Sequence, residues 1–421
     1  MSAGQTLTPL RAGFLPLLDA AILVAAAEKG FAEEQGLKLE LVRETSWANI
    51  RDRIAIGHFD VAHMLAPMPI AASLGLTSLA VPMIAPMALG LGGNAVTVSN
   101  TLWQALADAG APSDGDPARV GTALKTAIAA RGAAGQPRLT LAIVHPFSGH
   151  NYELRYWLAA CGIDPERDVA LTVVPPPFMA DALAAGRIDG YCVGEPWNTA
   201  AVNSGGGRIV TTKAAIWRSS PEKVVGMRAE WAEANRDTIG HLLAALYRAS
   251  LWCDDPANLP ELVRLMSRPS YLDRPVDLLL PGLSNHIALG ASAPRKVQDF
   301  LSFAGKAATF PWISHALWFF TQMVRWGQVP LTPAALEAAR RTYRPDIYRA
   351  ALGPLGVPLP GGSSKVEGAL LREIPVASSS GPLRLGPDGF FDGRAFDPDE
   401  LEAYVAGLPF GINGKRRGLD D

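Results

Sequence analysis

The chain has 421 residues, of which 48% are hydrophobic and 19% charged. That length supports two domains with a substantial core, and that balance excludes a globally disordered chain. Formal net charge is −2, from 38 basic and 40 acidic side chains, so the totals give no electrostatic case for a nucleic-acid binder. Cys161, Cys192 and Cys253 are sparse and widely spaced. They read as core thiols, not as a disulfide framework or a metal cluster.

In chain order, residues 1–9 are small, polar and loose. Leu10–Leu15 is a strand ended by Pro16, and Asp19 is placed to cap a helix over Ala20–Lys29. The apolar run Ala12–Ala27 imitates a signal peptide, but Pro16 and Asp19 interrupt it, so strand turning into helix fits better. Gly36 links into a second strand, Leu37–Val42. Ser46 caps a helix over Trp47–Ile56, with Ile50 and Ile54 on one face and Gly57 ending it. Asp60 precedes a buried strand, Val61–Leu65, and Pro67 and Pro69 lead out of it. This is strand–helix–strand grammar.

Beyond the glycine-rich segment 90–93, Ala95–Ser99 is a strand and Trp103–Ala109 a helix. Gly110–Arg119 is a loop, and Lys125–Arg131 continues as helix. Leu139–Val144 is a strand delivering the polar loop His145–Asn151 to a helix, Tyr152–Cys161. Val169–Val174 and Arg208–Thr211 are further strands. Gly57, Asp60 and Pro67 recur as Gly186, Asp189 and Pro196 at a constant offset of 129 residues. Two related lobes, each presenting a strand end to a common cleft, explain that recurrence.

The expected organisation is an α/β, two-lobed fold. Residues 1–91 and 214–360 form the first lobe, 92–213 the second, and 361–421 an arm or strap packed on the first. From about Ala214 the pattern is helical, with helices over Glu230–Trp252, Leu259–Met266, Arg295–Ala304, Ser314–Trp326, Pro333–Ala339 and Asp397–Ala406. Trp318, Phe319 and Phe320 read as packing, and Lys415–Asp421 as a frayed end. No uninterrupted apolar run of membrane-spanning length is present.

No Walker A, dinucleotide, HExxH or nucleophile-elbow motif occurs, and Gly90–Gly93 lacks the lysine and hydroxyl pair of a phosphate loop. His58, His63, His145 and His150 have no spacing that demands a metal. A small planar oxyanion needs in-plane donors, a positive charge or helix N-terminus, and a flat wall. Trp47, Asn94, His145 and Arg218 sit at proposed loop ends and supply those groups. The residues also allow packing for Trp47 and solvent exposure for Arg218.

Six segments carry a resemblance: GFLPLLDAAILVAAAEKGF (13–31), RETSWANIRDRIAIGHFDVAHMLAPMP (43–69), GLGGNAVTVSN (90–100), LRYWLAACGI (154–163), GEPWNTAA (194–201) and IWRSSPEKVVGMRAEW (216–231). In them the chain resembles the nitrate/bicarbonate-binding family of solute receptors from ATP-driven uptake systems. The resemblance implies a two-lobed, type II periplasmic-binding-protein-like fold closing on one solute, with no enzymatic activity and no cofactor. It assigns the ligand contacts to Trp47, Asn94, His145 (with His150 as a rival register) and Arg218, where the family commonly carries lysine. Gly149, Glu195 and Trp197 are further candidates. Bicarbonate-binding relatives use acidic residues and calcium. The sequence shows no clear counterpart, which favours nitrate or nitrite and no metal.

The chain begins almost directly at its first strand, whereas transport receptors carry a secretion signal. The resemblance therefore points to the cytoplasmic nitrate/nitrite sensor branch, which holds an ANTAR-type RNA-binding antiterminator protein and releases it on anion binding. Any RNA contact would be the partner's. The rivals are a transport receptor, a sulfonate receptor, and an enzyme on the same fold such as a pyrimidine-precursor synthase.

Overall fold

The computed structural model describes residues 6–411. The first lobe opens with β1 (Thr8–Phe14), a tight turn, α1 (Ala21–Glu28) and β2 (Leu37–Arg43). Gly36 adopts φ 73°, the left-handed conformation that the sharp link into β2 requires. The signal-like run thus forms the end of β1 and the wholly buried face of α1. Asp19 does not cap α1. It is buried and paired with Lys223 and His63. Next come α2 (Trp47–Ala55), β3 (Val61–Leu65), α3 (Met68–Ser73) and β4 (Met83–Ala88). Ser46 caps α2 as expected, its Oγ accepting the Asn49 N–H at 3.2 Å, and Ile50 and Ile54 face the core.

A short β5 (Leu91–Gly92) leads into the second lobe. There follow β6 (Asn94–Ser99), α4 (Asn100–Asp108), α5 (Pro117–Ala133), β7 (Leu139–Ile143), α6 (Gly149–Ala160) and β8 (Val169–Val173). Then come α7 (Met179–Ala184), β9 (Gly190–Gly194), α8 (Trp197–Asn203), β10 (Gly207–Thr212) and α9 (Lys213–Ile216). Helix α6 begins three residues earlier than the expected Tyr152, because the Ser148 hydroxyl accepts the Asn151 N–H at 3.0 Å and so closes a first turn. His150 is therefore helical. Likewise Asp116 caps α5 through the Arg119 N–H, which shortens the expected loop.

The sequence reading missed β11 (Lys223–Arg228), placing its apolar run inside a helical region. In the first lobe this strand lies between β3 and β4, antiparallel to both, in a sheet of order β2-β1-β3-β11-β4. The second sheet has order β8-β7-β9-β6-β10, with β6 antiparallel to β9 and β10. The two sheets share one plan. In each, the antiparallel strand arrives by a crossing from the other lobe and pairs with the central strand, β3 or β9.

After β11 come α10 (Ala229–Ala234) and α11 (Arg236–Asp254), divided at Asn235 where one helix was expected, and then α12 (Leu259–Met266). Helix α13 (Val276–Ser284) was not anticipated, since Pro281 lies inside it. The helix expected over Arg295–Ala304 is absent. The pair β12 (His286–Ile287) and β13 (Arg295–Lys296), and β14 (Leu301–Ser302) bonded to β5, occupy that region. Asp299, at φ 56°, cannot continue a right-handed helix.

Helices α14 (Ile313–Arg325), α15 (Pro333–Thr342) and the unanticipated α16 (Pro345–Leu352) follow. Trp318, Phe319 and Phe320 are fully buried in α14. The remaining strap contains β15 (Ile374–Val376), β16 (Leu383–Leu385) and α17 (Leu401–Ala406). It covers more than the first lobe. Phe390 stacks on Trp217 at 4.5 Å, and the Tyr156 hydroxyl of α6 donates to Asp392 at 2.9 Å. The end expected to fray, Lys415–Asp421, lies outside the described residues. Among the described residues, no helix is long and apolar enough to cross a membrane.

Candidate anion site

Several chain junctions deliver polar side chains to one buried cluster. Asp19 follows β1, Trp47 opens α2, Asn94 opens β6, and Gly149 and His150 open α6. Lys213 opens α9, and Glu222 and Lys223 open β11. In α/β sheets such strand ends at a change of direction are where ligands gather. Lys223 is the hub. Its Nζ lies 2.7 Å from Asp19 Oδ2, 2.7 Å from Glu222 Oε1 and 5.4 Å from the Trp47 ring. Trp47 also meets the His63 ring edge-on at 5.3 Å, and His63 Nε2 approaches Asp19 Oδ1 at 3.0 Å. Glu222 pairs with Lys213 and lies 3.3 Å from His150 Nδ1. Lys213 in turn reaches Glu153 Oε1 at 2.9 Å.

All these side chains are at most 5% exposed. Yet Trp47 Nε1, both amide atoms of Asn94 and His150 Nε2 have no hydrogen-bond partner within the protein. Buried polar groups are rarely left so. A Cβ on Gly194, the β-partner of Asn94, would lie 3.2 Å from Asn94 Oδ1 and 3.7 Å from Asp19 Oδ2. That places the Asn94 amide beside the same cluster. An indole N–H, an amide, an imidazole and an ammonium form a donor set suited to a small oxyanion.

The charges are set by burial and pairing. Burial pushes His150 down to about 3, although Glu222 opposes it, and burial also lowers His63. Both rings are neutral at neutral pH. Burial would raise Asp19 and Glu222, but Lys223 and a hydrogen bond from His63 outweigh it at Asp19, and the two lysines do so at Glu222. Both carboxyls therefore stay ionised. Glu153 differs, since burial outweighs Lys213 and pushes it up to about 8.

Of the residues expected from sequence, Trp47 and Asn94 lie in the cluster. His145 does not. Its Nδ1 accepts the Phe147 N–H at 3.1 Å, and its charged neighbours are Arg51 and Asp52. The rival histidine, His150, occupies the cluster instead. Arg218 also lies elsewhere, partly exposed with its Nε 2.5 Å from Asp299 Oδ2. The cations of the cluster are Lys213 and Lys223, and Lys223 was missed because β11 was missed. Gly149 is in the cluster, and its hydrogen faces Glu222, where a Cβ would sit 2.5 Å from Oε2.

Glu195 and Trp197 are buried at the start of α8. Glu195 Oε2 accepts the Thr199 N–H at 3.1 Å at the start of α8, and the Arg274 guanidinium covers the Trp197 ring at 5.2 Å. Glu195 Oε1 and Trp197 Nε1 find no partner within the protein. Asp19, Glu153 and Glu222 are the carboxyl groups of the cluster, each paired with a lysine. Among the described residues, no group of three or more His, Cys, Asp or Glu is arranged to hold a metal ion.

Two sheets of one plan, crossed twice and enclosing a polar cluster, define a two-lobed solute-binding protein of the periplasmic-binding-protein-like class. The chain belongs to the NMT1-like family, which it matches over residues 3–267. It is 34% identical to the nitrate/nitrite binding protein NrtA of Synechococcus elongatus, over 94% of this chain and 85% of that one. It is 36% identical to the nitrate import ATP-binding protein NrtC of Synechocystis and 35% identical to the bicarbonate transport ATP-binding protein CmpC of Synechococcus elongatus. Those matches cover 93% and 95% of this chain, which spans only about half of each ATP-binding relative (54% and 55%). The crystal structure of the periplasmic nitrate-binding protein NrtA from Synechocystis superposes with a TM-score of 0.83 at 29% identity, covering 96% of this chain and 99% of that one.

Proposed function

We propose that this protein is a receptor for nitrate or nitrite, held between its lobes and passed to an ATP-driven transporter. The lobes in this reading are 1–91 with 214–360, and 92–213, with the remainder as strap. The observation that carries it is the buried cluster around Lys223, in which Trp47 Nε1, both amide atoms of Asn94 and His150 Nε2 have no partner within the protein. The nitrate-binding relatives support the same reading. The protein captures and releases its ligand without chemical change, and lobe closure excludes water from the site.

Titration calorimetry with nitrate, nitrite, bicarbonate and an alkanesulfonate tests this. Nitrate or nitrite binding tightest is the expected result, and no binding of either would sink the reading. The cytoplasmic sensor that governs an RNA-binding antiterminator is a narrower reading of the same binding chemistry. The named relatives, which include transport ATP-binding proteins, favour transport over it. Copurification of an RNA-binding protein that nitrate dissociates would reverse that preference, as would recovery of the protein in the cytoplasmic fraction.

A further inference from the structure

The site holds more carboxyl than ammonium side chains. Three carboxylates, Asp19, Glu153 and Glu222, face two ammonium groups, Lys213 and Lys223, through direct contacts at or below 2.9 Å. The other titratable groups packed around them are His63 of β3, His150 of α6, Cys192 of β9 and Tyr343. Burial lowers both histidines and holds the Cys192 thiol well above its ordinary value. Tyr343 keeps its proton on the Ala66 carbonyl at 3.0 Å. With all three carboxyls ionised the cluster carries one net negative charge, and an anion would make it two. A buried cluster does not tolerate that without compensation.

We infer that the site takes its anion together with one proton, and that Glu153 is the residue that holds it. This rests on the anion-receptor reading above and adds a proton to its ligand. Geometry selects Glu153 among the three carboxyls. Asp19 is held by Lys223 and His63, and Glu222 by both lysines and His150. Glu153 has Lys213 alone, and its second oxygen finds no partner within the protein. It stands one helical turn from His150 on α6, so the charge of a bound anion acts on it across a short, dry distance. The upward push of burial on its carboxyl points the same way.

The direction follows from linkage. A bound anion raises the proton affinity of Glu153 further, and by reciprocity the protonated form binds the anion more tightly. Where pH is low enough to keep Glu153 protonated without the anion, affinity is flat and no proton is taken up. Above about pH 8 each anion brings up to one proton, and affinity falls by up to about tenfold per pH unit.

The test is calorimetry of nitrate binding to the full chain from pH 6 to 9.5, run at pH 8.5 in two buffers of different ionisation enthalpy. The expected result is a falling affinity above about pH 8, with a buffer-dependent heat equal to uptake of up to one proton. Glu153→Gln, which keeps the shape and cannot ionise, is expected to remove both the slope and the buffer dependence, whatever its affinity at pH 6. A flat wild-type profile with no buffer-dependent heat overturns the inference and leaves the receptor reading standing. So does a requirement for an added divalent cation in place of the proton. A slope that survives in Glu153→Gln but vanishes in His150→Gln overturns the assignment to Glu153. No binding of nitrate or nitrite at any pH overturns the receptor reading and the inference with it.

Discussion

Asp60 and Asp189 make the same pair of contacts in the two sheets. Oδ2 of Asp60 accepts the Arg11 N–H at 2.8 Å, and Oδ2 of Asp189 accepts the Thr140 N–H at 2.8 Å. Each aspartate also donates its own backbone N–H to the carbonyl of that residue, at 3.0 and 2.8 Å. Both thereby fix the entry of a central strand, β3 or β9, against its parallel neighbour, β1 or β7. The recurrence in sequence is thus a recurrence of one hydrogen-bonding task.

Replacing either aspartate with alanine removes a charge-assisted bond to a backbone N–H at the strand entry. The expected loss of stability is about 1–2 kcal/mol, near the lower end for bonds to charged groups because the pairs are partly hydrated. Urea unfolding should report it as a lower midpoint with the slope unchanged. Equal effects at the two positions are expected from their equal geometry.

Trp47→Phe keeps the aromatic wall and deletes the unpartnered Nε1–H. Nitrate affinity is expected to fall about tenfold, the worth of one hydrogen bond to a charged ligand, with little change in melting temperature. Arg218→Ala, by contrast, should leave affinity within about twofold, because that side chain is spent on Asp299. Calorimetry on the two variants separates the buried cluster from the site expected from sequence.

Gly149→Ala places a methyl where Glu222 Oε2 now sits, at 2.5 Å. Glu222 holds both Lys213 and Lys223, so its displacement disturbs the cationic centre. The expected result is anion affinity lowered by about tenfold or more with the far-ultraviolet spectrum retained. Unaltered affinity would mean that Glu222 relaxes away from the site.

The strap is anchored by a second buried ionic group. Glu367 bonds Lys365 and the Ser314 hydroxyl, and Lys365 also reaches Asp388 at 2.5 Å. Burial alone would raise Glu367, but Lys365 and then His315 outweigh it and hold the carboxyl down at about 2. A depressed carboxyl contributes stability above its unfolded value of about 4.5, and that stability is lost as pH falls toward about 2. Glu367→Gln is expected to cost about 2–3 kcal/mol at pH 7, because Lys365 then keeps only Asp388 as a charged partner. The deficit relative to wild type should shrink as pH falls below about 4.5, measured by thermal unfolding across pH.

The local elements were legible because their signals are local. Ser46 before Trp47, Gly36 and Gly57 at turns, and the short apolar run that ends at Leu65 need only neighbouring residues to act. The offset repeat was legible for the same reason, as was Trp47 at the mouth of a capped helix. The sequence did not reveal which cation faces that indole. Arg218 and Lys223 stand five residues apart in one segment, and only the insertion of Lys223–Arg228 between β3 and β4 turns Lys223 inward and leaves Arg218 outside. His145 and His150 were separated in the same way, by a serine cap that draws His150 into the first turn of α6. Strand pairing over more than 150 residues is a property of the closed sheet. The charge balance of Asp19, Glu153, Glu222, Lys213 and Lys223 therefore exists only in the folded molecule, where low dielectric and short distance couple groups that the sequence keeps apart.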